Sequence, residues 1–275
     1  MIQFKTSNVC VFESALFRTT STVIQTPDLV LIVDPTWLPH EVAEIQQFVE
    51  TVRGKRPLYL LFTHSDYDHI IGYQAFPDAT VIASQALIDN PERASNLQQI
   101  LKFDDDYYIR RSYMIDYPKV NYIVNKDEQA LKIGDTEITF YLAPGHNSDG
   151  IFTIVAFNNQ HIWIAGDYLS NIEFPFIYHS SYDYEETLAK AEHILQNGKI
   201  DLLISGHGDV ATEKSEIIAR IQDSYLYIHT LREALQSDKE FLTEQLWKRY
   251  HFPGIQQKYH TGNVALIKKE LGIVR

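Results

Sequence analysis

Apolar positions in the first third of the chain come in short runs. Residues 9–13, 21–25 and 29–34 are apolar or alternating and are broken by Thr, Ser and Pro, which predicts short strands. Residues 39–52 differ: Val42, Ile45, Phe48 and Val49 share one helical stripe, and Gly54 stands just past its end. The runs 58–62 and 80–83 are fully apolar and strand-sized, so they predict buried strands. Residues 91–118 mix a helical pattern with a polar and aromatic cluster, and read as a helical excursion between two strand-rich halves. Strands resume at 120–124, 129–133, 137–142, 151–157 and 161–165, with Ile133-Gly134-Asp135-Thr136 as a hairpin turn. A helix over 184–195 and a buried strand over 200–205 follow. Beyond them Ile217, Ile221, Tyr225, Ile228, Leu231 and Leu235 recur at helical spacing. Ser237 with Glu240 reads as a capping box, and Thr261 as the cap of a last helix that Gly272 ends.

Two runs of strands, each with helices attached, point to an α+β protein: two sheets face to face with helices outside, a four-layer αββα sandwich with a helical C-terminal appendix. No linker or repeat is visible. Residues 1–212 are therefore read as one domain with its insertion near 91–118, and 213–275 as a helical extension packed on that domain.

Composition narrows the function. Of 275 residues 45% are apolar, enough for a sizeable core. Lys and Arg total 24 against 36 Asp and Glu, a net charge of −12, which argues against a general nucleic-acid binder. Cys10 is the single cysteine, so an intramolecular disulfide and a thiolate-only metal site are excluded. The N-terminal residues lack the basic-then-apolar order of an export signal, and no apolar run approaches a membrane span. The expectation is a cytoplasmic protein with a small-molecule substrate, acting on neither nucleic acid nor membrane.

The informative segment is Thr63-His64-Ser65-Asp66-Tyr67-Asp68-His69, which follows the apolar run 58–62 directly. His146 follows the strand 137–142, Asp167 the strand 161–165 and His207 the strand 200–205, each beside a glycine. Side chains just past strand ends gather at one edge of a sandwich, a usual place for a site. Imidazoles and carboxylates in this number suit two divalent ions that share a carboxylate.

The order and spacing resemble the metallo-β-lactamase fold superfamily, whose hallmark is His-x-His-x-Asp-His, then a distant His, an Asp and a final His. The resemblance runs from about residue 8 to about 210, with a weak similarity over the tail 263–272. It implies a sandwich of the metallo-β-lactamase type. It also implies that His64, Asp66 and His146 hold one metal, that Asp68, His69 and His207 hold the other, and that Asp167 bridges. Zinc is the first expectation, with iron or manganese as alternatives. A hydroxide between the metals would attack an ester-like substrate (phosphodiester, lactone or thioester), with Asp68 orienting the water. The chain departs from the family at Asp66, which replaces the second motif histidine. Two aspartates, two divalent ions and a hydroxide carry one net positive charge, and Asp66 brings that to zero. Bound water becomes less acidic and a harder metal is favoured. A carboxylate here also resembles the diiron flavoproteins of this superfamily, so a redox protein is one alternative and a non-catalytic ligand binder another.

Other candidates are softer. His179 could supply a leaving-group acid, and Tyr168, beside Asp167, a substrate contact. Arg110 and Arg111 could grip an anionic substrate from the excursion. His40, His161, His193, His229, His251 and His260 match no motif and read as structural or exposed. The tail with Tyr225, Tyr227 and Trp247 reads as core packing, with a homodimer surface as the alternative.

Overall fold

Alternation within the strands sets the layers. In β2 (Val9–Glu13), Val9 and Val11 point into one core, while Cys10 and Phe12 point into another. The same split divides β4 (Val30–Val33) and β5 (Leu58–Leu61): Leu31, Val33 and Leu61 face one way, and Val30, Ile32 and Leu60 the other. Strands buried on both faces lose the polar half of their pattern, which is why 58–62 reads as one apolar run.

The computed structural model describes residues 1–237, 241, 244, 246, 249–250 and 252–273. Its first sheet runs, in chain order, through β1 (Ile2–Lys5), β2, β3 (Thr20–Gln25), β4, β5, β6 (Thr80–Ser84) and β7 (Tyr122–Val124). Its second has the order β12-β11-β10-β9-β8, where β8 is Gln129–Ile133, β9 Thr136–Leu142, β10 Ile151–Phe157, β11 Gln160–Ile164 and β12 Leu202–Ile204. Pairing is antiparallel from β1 to β4 and from β8 to β11, and parallel from β4 to β7 and between β11 and β12. The core between the sheets joins Val11, Leu31, Leu61 and Ile82 to Ile138, Phe140, Ile162 and Ile204.

The helices are α1 (Pro39–Arg53), α2 (Tyr67–Ile70), α3 (Gln85–Asp89), α4 (Arg93–Asp106), α5 (Ser181–Asn197), α6 (Lys214–Gln236) and α7 (Pro253–Glu270). Val42, Ile45 and Val49 of α1, with Ile100 of α4, cover the outer face of the first sheet. Leu188, Ala191 and Ile194 of α5, Ile221, Ile228 and Leu231 of α6 and Ile267 of α7 pack on Phe152, Trp163 and Leu203 of the second. The result is the four-layer αββα sandwich. The hairpin between β8 and β9 is the two-residue turn Gly134-Asp135, with Gly134 at φ +59°, a conformation that favours glycine.

One strand goes unmarked in the sequence, and one expected cap moves. β1 carries no strong apolar pattern, because it is an edge strand paired only with β2. The last helix starts at Pro253, so Thr261 lies inside it and its hydroxyl donates back to the Gln257 carbonyl; it is not a cap. Gly272 does close it, at φ +68°. Glu240 of the expected capping box, Trp247 and His251 lie outside the described residues.

Candidate metal centre

The parallel pairs β4–β5 and β11–β12 bring their C-terminal ends to one edge of the sandwich. The chain leaves that edge four times carrying a metal-ligating residue type. β5 runs into His64 and then α2, which holds Asp68 and His69. The loop between β9 and β10 carries His146, β11 leads to Asp167, and β12 leads to His207. Bonds across the edge tie the two halves together. Ile151 N–H donates to the Thr63 carbonyl and Thr20 N–H to the Gly206 carbonyl, while Gly206 N–H, within the second half, donates to the Gly166 carbonyl. At Gly206 a Cβ would fall on Asp167 Oδ1, so only glycine lets the β12 loop approach that carboxylate.

The seven residues form two adjoining groups: His64, Asp66, His146 and Asp167, and then Asp68, His69 and His207. In each group the candidate ligand atoms lie within 4.8 Å of one another. Asp167 reaches both. Its Oδ2 is 3.4 Å from His146 Nε2 and 3.3 Å from His207 Nε2, and its Oδ1 is 3.1 Å from His69 Nε2. Asp66 is held by Asn147, whose amide donates to Oδ1 at 2.7 Å. Its other oxygen is left 3.2 Å from His146 Nε2 and 3.5 Å from His64 Nε2.

All four imidazoles are oriented in the same way. Each commits Nδ1 to a protein oxygen: His64 to Thr63 Oγ1 (3.0 Å), His69 to Asp34 Oδ2 (2.9 Å), His146 to the Phe176 carbonyl (2.8 Å) and His207 to the Phe17 carbonyl (2.9 Å). An Nδ1–H donor leaves Nε2 as the lone-pair nitrogen, and every Nε2 faces the carboxylates. His64 Nε2, His69 Nε2 and Asp167 Oδ1 are buried and make no hydrogen bond. Buried polar atoms without a partner are costly, so three of them within these two adjoining groups fit bound cations.

Without metal the cluster holds protons. His146 is raised to about 9: burial opposes its charge, but Asp66 and Asp167 outweigh it. His207 is raised to about 10 against the same burial, by Glu173 and Asp167 first. His69 lies well above the usual range, Asp167 and Asp68 overcoming burial. Burial also opposes ionised Asp66 and Asp167, yet the surrounding imidazoles hold both well below the ordinary carboxylate range. Asp68 goes the other way, raised by burial that His69 and His207 do not offset. Divalent ions must therefore displace protons. At pH 7 their binding should release about two or more protons per chain, read as a dependence of the binding enthalpy on buffer ionisation. A buffer-independent enthalpy would contradict it. The raised imidazole values also stabilise the metal-free fold. That contribution is complete below about pH 6.5 and falls away as pH rises through about 9 and 10.

Residues outside the motif complete the site. Asp34, at the end of β4, takes the Thr63 N–H on Oδ1 (2.9 Å) and the Thr63 hydroxyl on Oδ2 (2.6 Å), as well as His69. Asn96 of α4 donates to the Ser65 carbonyl (2.6 Å), so the helical excursion pins the motif loop. Tyr178 lays its ring 5.1 Å from that of His146. The Glu173 carboxyl is pushed up to about 7 by burial, with His207 opposing and Asp167 and Asp68 adding.

The softer candidates sit elsewhere. Tyr168 is 3% exposed and does not offer its hydroxyl to a substrate. That hydroxyl accepts the His146 N–H (3.0 Å) and donates to the Pro144 carbonyl (2.7 Å), so Tyr168 braces the His146 loop. The His179 ring pairs with Asp183 at 3.2 Å and does not join the cluster of seven; its neighbour Tyr178 does face it. Arg110 is exposed, and Arg111 is spent on Asp104 (2.8 Å) and the Trp37 carbonyl (2.7 Å). His260 contacts the Tyr227 hydroxyl, and His229 contacts Glu185. Among the described residues no helix is long and apolar enough to cross a membrane.

An αββα sandwich with a His/Asp cluster at one sheet edge defines a class of metal-binding proteins. The family model of the metallo-beta-lactamase superfamily matches residues 15–207, and the chain belongs to that superfamily, which includes metal-dependent hydrolases. Solved structures share the fold. One is described as the first B3 metallo-beta-lactamase with an active-site glutamic acid: it is 21% identical over 85% of this chain and 90% of its own, with a TM-score of 0.56. An archaeal superfamily protein, ST1585 from Sulfolobus tokodaii, is 13% identical over 98% of this chain and all of its own (TM-score 0.57). The sec-alkyl sulfatase PisA1, as a double mutant, is 12% identical over 98% of this chain and 50% of its own (TM-score 0.68). No curated protein matches the chain in sequence.

Proposed function

We propose that the protein is a dinuclear metal-dependent hydrolase of a small ester-like substrate. The observation that carries this reading is the convergence of four Nε2 atoms and three carboxylates at one sheet edge, three of the atoms being buried without a hydrogen bond. His64, Asp66 and His146 would hold one ion, Asp68, His69 and His207 the other, and Asp167 both. Bound ions would supply a water of lowered pKa, from about 15.7 towards about 7, and would offset charge developing on the substrate oxygen. The protein's own contribution is orientation. Thr63, Asp34, Phe176 and Phe17 fix the four rings, and Asn147 turns Asp66 so that one oxygen faces His64 and His146. Asp68, with Oδ2 3.8 Å from His69 Nε2 and 3.7 Å from His207 Nε2, is the carboxylate placed to orient the attacking water.

The surroundings favour an uncharged ester, thioester or lactone over a phosphodiester. Rings stand beside the centre: Tyr178 on His146, and Tyr67 and Phe17 on Trp37. The nearby cations are spent within the protein. Arg18 pairs with Glu13 and Asp209, and Arg111 with Asp104. Asp66 also removes the net positive charge that would draw an anion.

The test is elemental analysis of the protein as purified, followed by hydrolysis of a lactone, a thioester and a phosphodiester. About two zinc or manganese ions per chain with turnover of the uncharged esters supports the reading. About two iron ions with oxygen or nitric oxide consumption would replace it with the redox reading, which the harder carboxylate Asp66 favours. Failure to take up metal on reconstitution would leave a ligand binder. Within the same experiment, Asp66→Ala should lower the bound metal from about two ions to about one per chain, since it removes one of the few donors of the first group. Unchanged stoichiometry would take Asp66 out of the ligand set.

A further inference from the structure

The His146 ring is held by a carbonyl in an irregular loop, and that loop is held by the C-terminal helix. Asn263 of α7 is 1% exposed. Its Oδ1 accepts the Ile177 N–H at 2.9 Å. Its Nδ2 donates to the Pro175 carbonyl at 2.7 Å and to the Tyr227 hydroxyl at 2.9 Å. One side-chain amide thus bonds residues 175 and 177 as a neighbouring strand would. The residue between them is Phe176, whose carbonyl takes the His146 Nδ1–H at 2.8 Å. One turn earlier on α7, Tyr259 stacks on the Phe176 ring, with centroids 4.0 Å apart and planes at 27°. Amide and ring hold the same residue from two sides.

We propose that Asn263 is a positioning residue for His146, acting through the Phe176 carbonyl, so that the C-terminal helix is a working part of the metal centre. The inference rests on the metal-centre reading above. A carbonyl fixed in place keeps His146 protonated on Nδ1 and its Nε2 turned towards Asp66 and Asp167. If residues 175–177 are released, the carbonyl can move and the ring can rotate or exchange its proton. The motif loop has a counterpart in Asn96, which bonds the Ser65 carbonyl, but Asn263 comes from a segment beyond the superfamily match at 15–207.

The experiment is titration of metal-free protein with zinc against a chromophoric chelator, alongside the melting temperature of the metal-free state, for wild type, Asn263→Ala and Gln256→Ala. Gln256 lies on the same helix and donates to the Ile172 carbonyl of the same loop at 2.7 Å, away from Phe176. Loss of an outer partner of a metal-binding histidine costs about 10–100-fold in metal affinity. Asn263 acts one step further out, since the Phe176 carbonyl itself remains, so Asn263→Ala should weaken one of the two sites by about tenfold, the lower end of that range, while Gln256→Ala lowers the melting temperature and leaves both affinities in place. Should Asn263→Ala fail to fold, Asn263→Leu fills the same volume without a charge, removes the bonds to Ile177, Pro175 and Tyr227, and should show the same loss at one site. Wild-type affinity at both sites in a folded Asn263 variant overturns the role of Asn263 alone. Equal weakening by Gln256→Ala overturns it too, because the effect then belongs to docking of the helix as a whole. A wild-type chain that takes up no metal overturns the centre itself, which is a distinguishable failure.

Discussion

Asp167→Asn should reduce the bound metal from about two ions per chain to one or none and take esterase, thioesterase or lactonase turnover down by about a thousandfold or more. The expectation rests on Asp167 reaching both groups, with Oδ1 near His69 and Oδ2 near His146 and His207. Asparagine keeps the shape but brings one neutral oxygen and an amide that two cations repel. The negative charge that lets the two ions lie close together is lost. The transition-state stabilisation supplied by metal ions is several kcal/mol, and about 1.4 kcal/mol is a factor of ten, which gives the expected drop. The metal-free variant tells the same story from the other side. His207, His146 and His69 owe part of their raised values to Asp167, so all three should titrate lower, which imidazole proton signals would report. Two ions bound as tightly as in wild type would remove Asp167 from the bridge.

The layered architecture was legible because most strands are buried on one or both faces and α1, α5 and α6 each show an apolar stripe. Periodicity reports burial, and burial here coincides with the layers. The candidate metal centre was legible for a different reason: four of its seven candidate donors sit between residues 64 and 69, and the others each follow an apolar strand. What escaped were partners that meet only through folding. Asp34 reads as the last residue of a strand, yet the parallel pairing of β4 with β5 sets it beside Thr63. Asn96 and Asn263 are amides within helices with no periodicity to mark them, and their partners lie 31 and 86–88 residues away. In the loop after Asp167, the ring that meets the cluster is that of Tyr178, not of His179. His179 turns to Asp183 and Tyr178 covers His146, because the His179 N–H donates to the Gly145 and His146 carbonyls and fixes which side chain faces the site. Tyr168 follows Asp167 directly but turns into the core against Phe152 and Tyr184.

Asp66 shows how far one departure from a motif reaches. With divalent ions bound, Asp66 would make the centre less positive than a histidine would, and Asn147 holds its carboxylate so that one oxygen faces His64 and His146. On the proposed dinuclear reading that would make the site less attractive to anions, in keeping with the internal pairing of Arg18 and Arg111. Under the proposed function, aromatic walls, spent cations and a neutral metal-loaded core would each favour an uncharged substrate, and each rests on different residues.

Asp34→Ala should be the most damaging change outside the seven donors. The Asp34 carboxylate is buried and accepts three hydrogen bonds, from Thr63 N–H, the Thr63 hydroxyl and His69 Nδ1–H. Removing it strands those donors in the interior. An orphaned buried donor costs about 1–3 kcal/mol, and loss of one partner of a buried charged pair about 3–5 kcal/mol, so the metal-free protein should lose about 3–5 kcal/mol of stability. The metal centre should suffer as well. Thr63 Oγ1 is the acceptor for His64, so one carboxylate governs the rings of both His64 and His69, one in each group. Metal affinity should fall by about 10–100-fold at both sites, whereas a change at Asn263 is expected to reach only the site of His146. Denaturant unfolding with and without chelator separates the two effects. A structural cost alone would lower stability equally in both conditions, whereas loss of ring orientation enlarges the deficit when metal is present. Equal deficits would confine Asp34 to the fold.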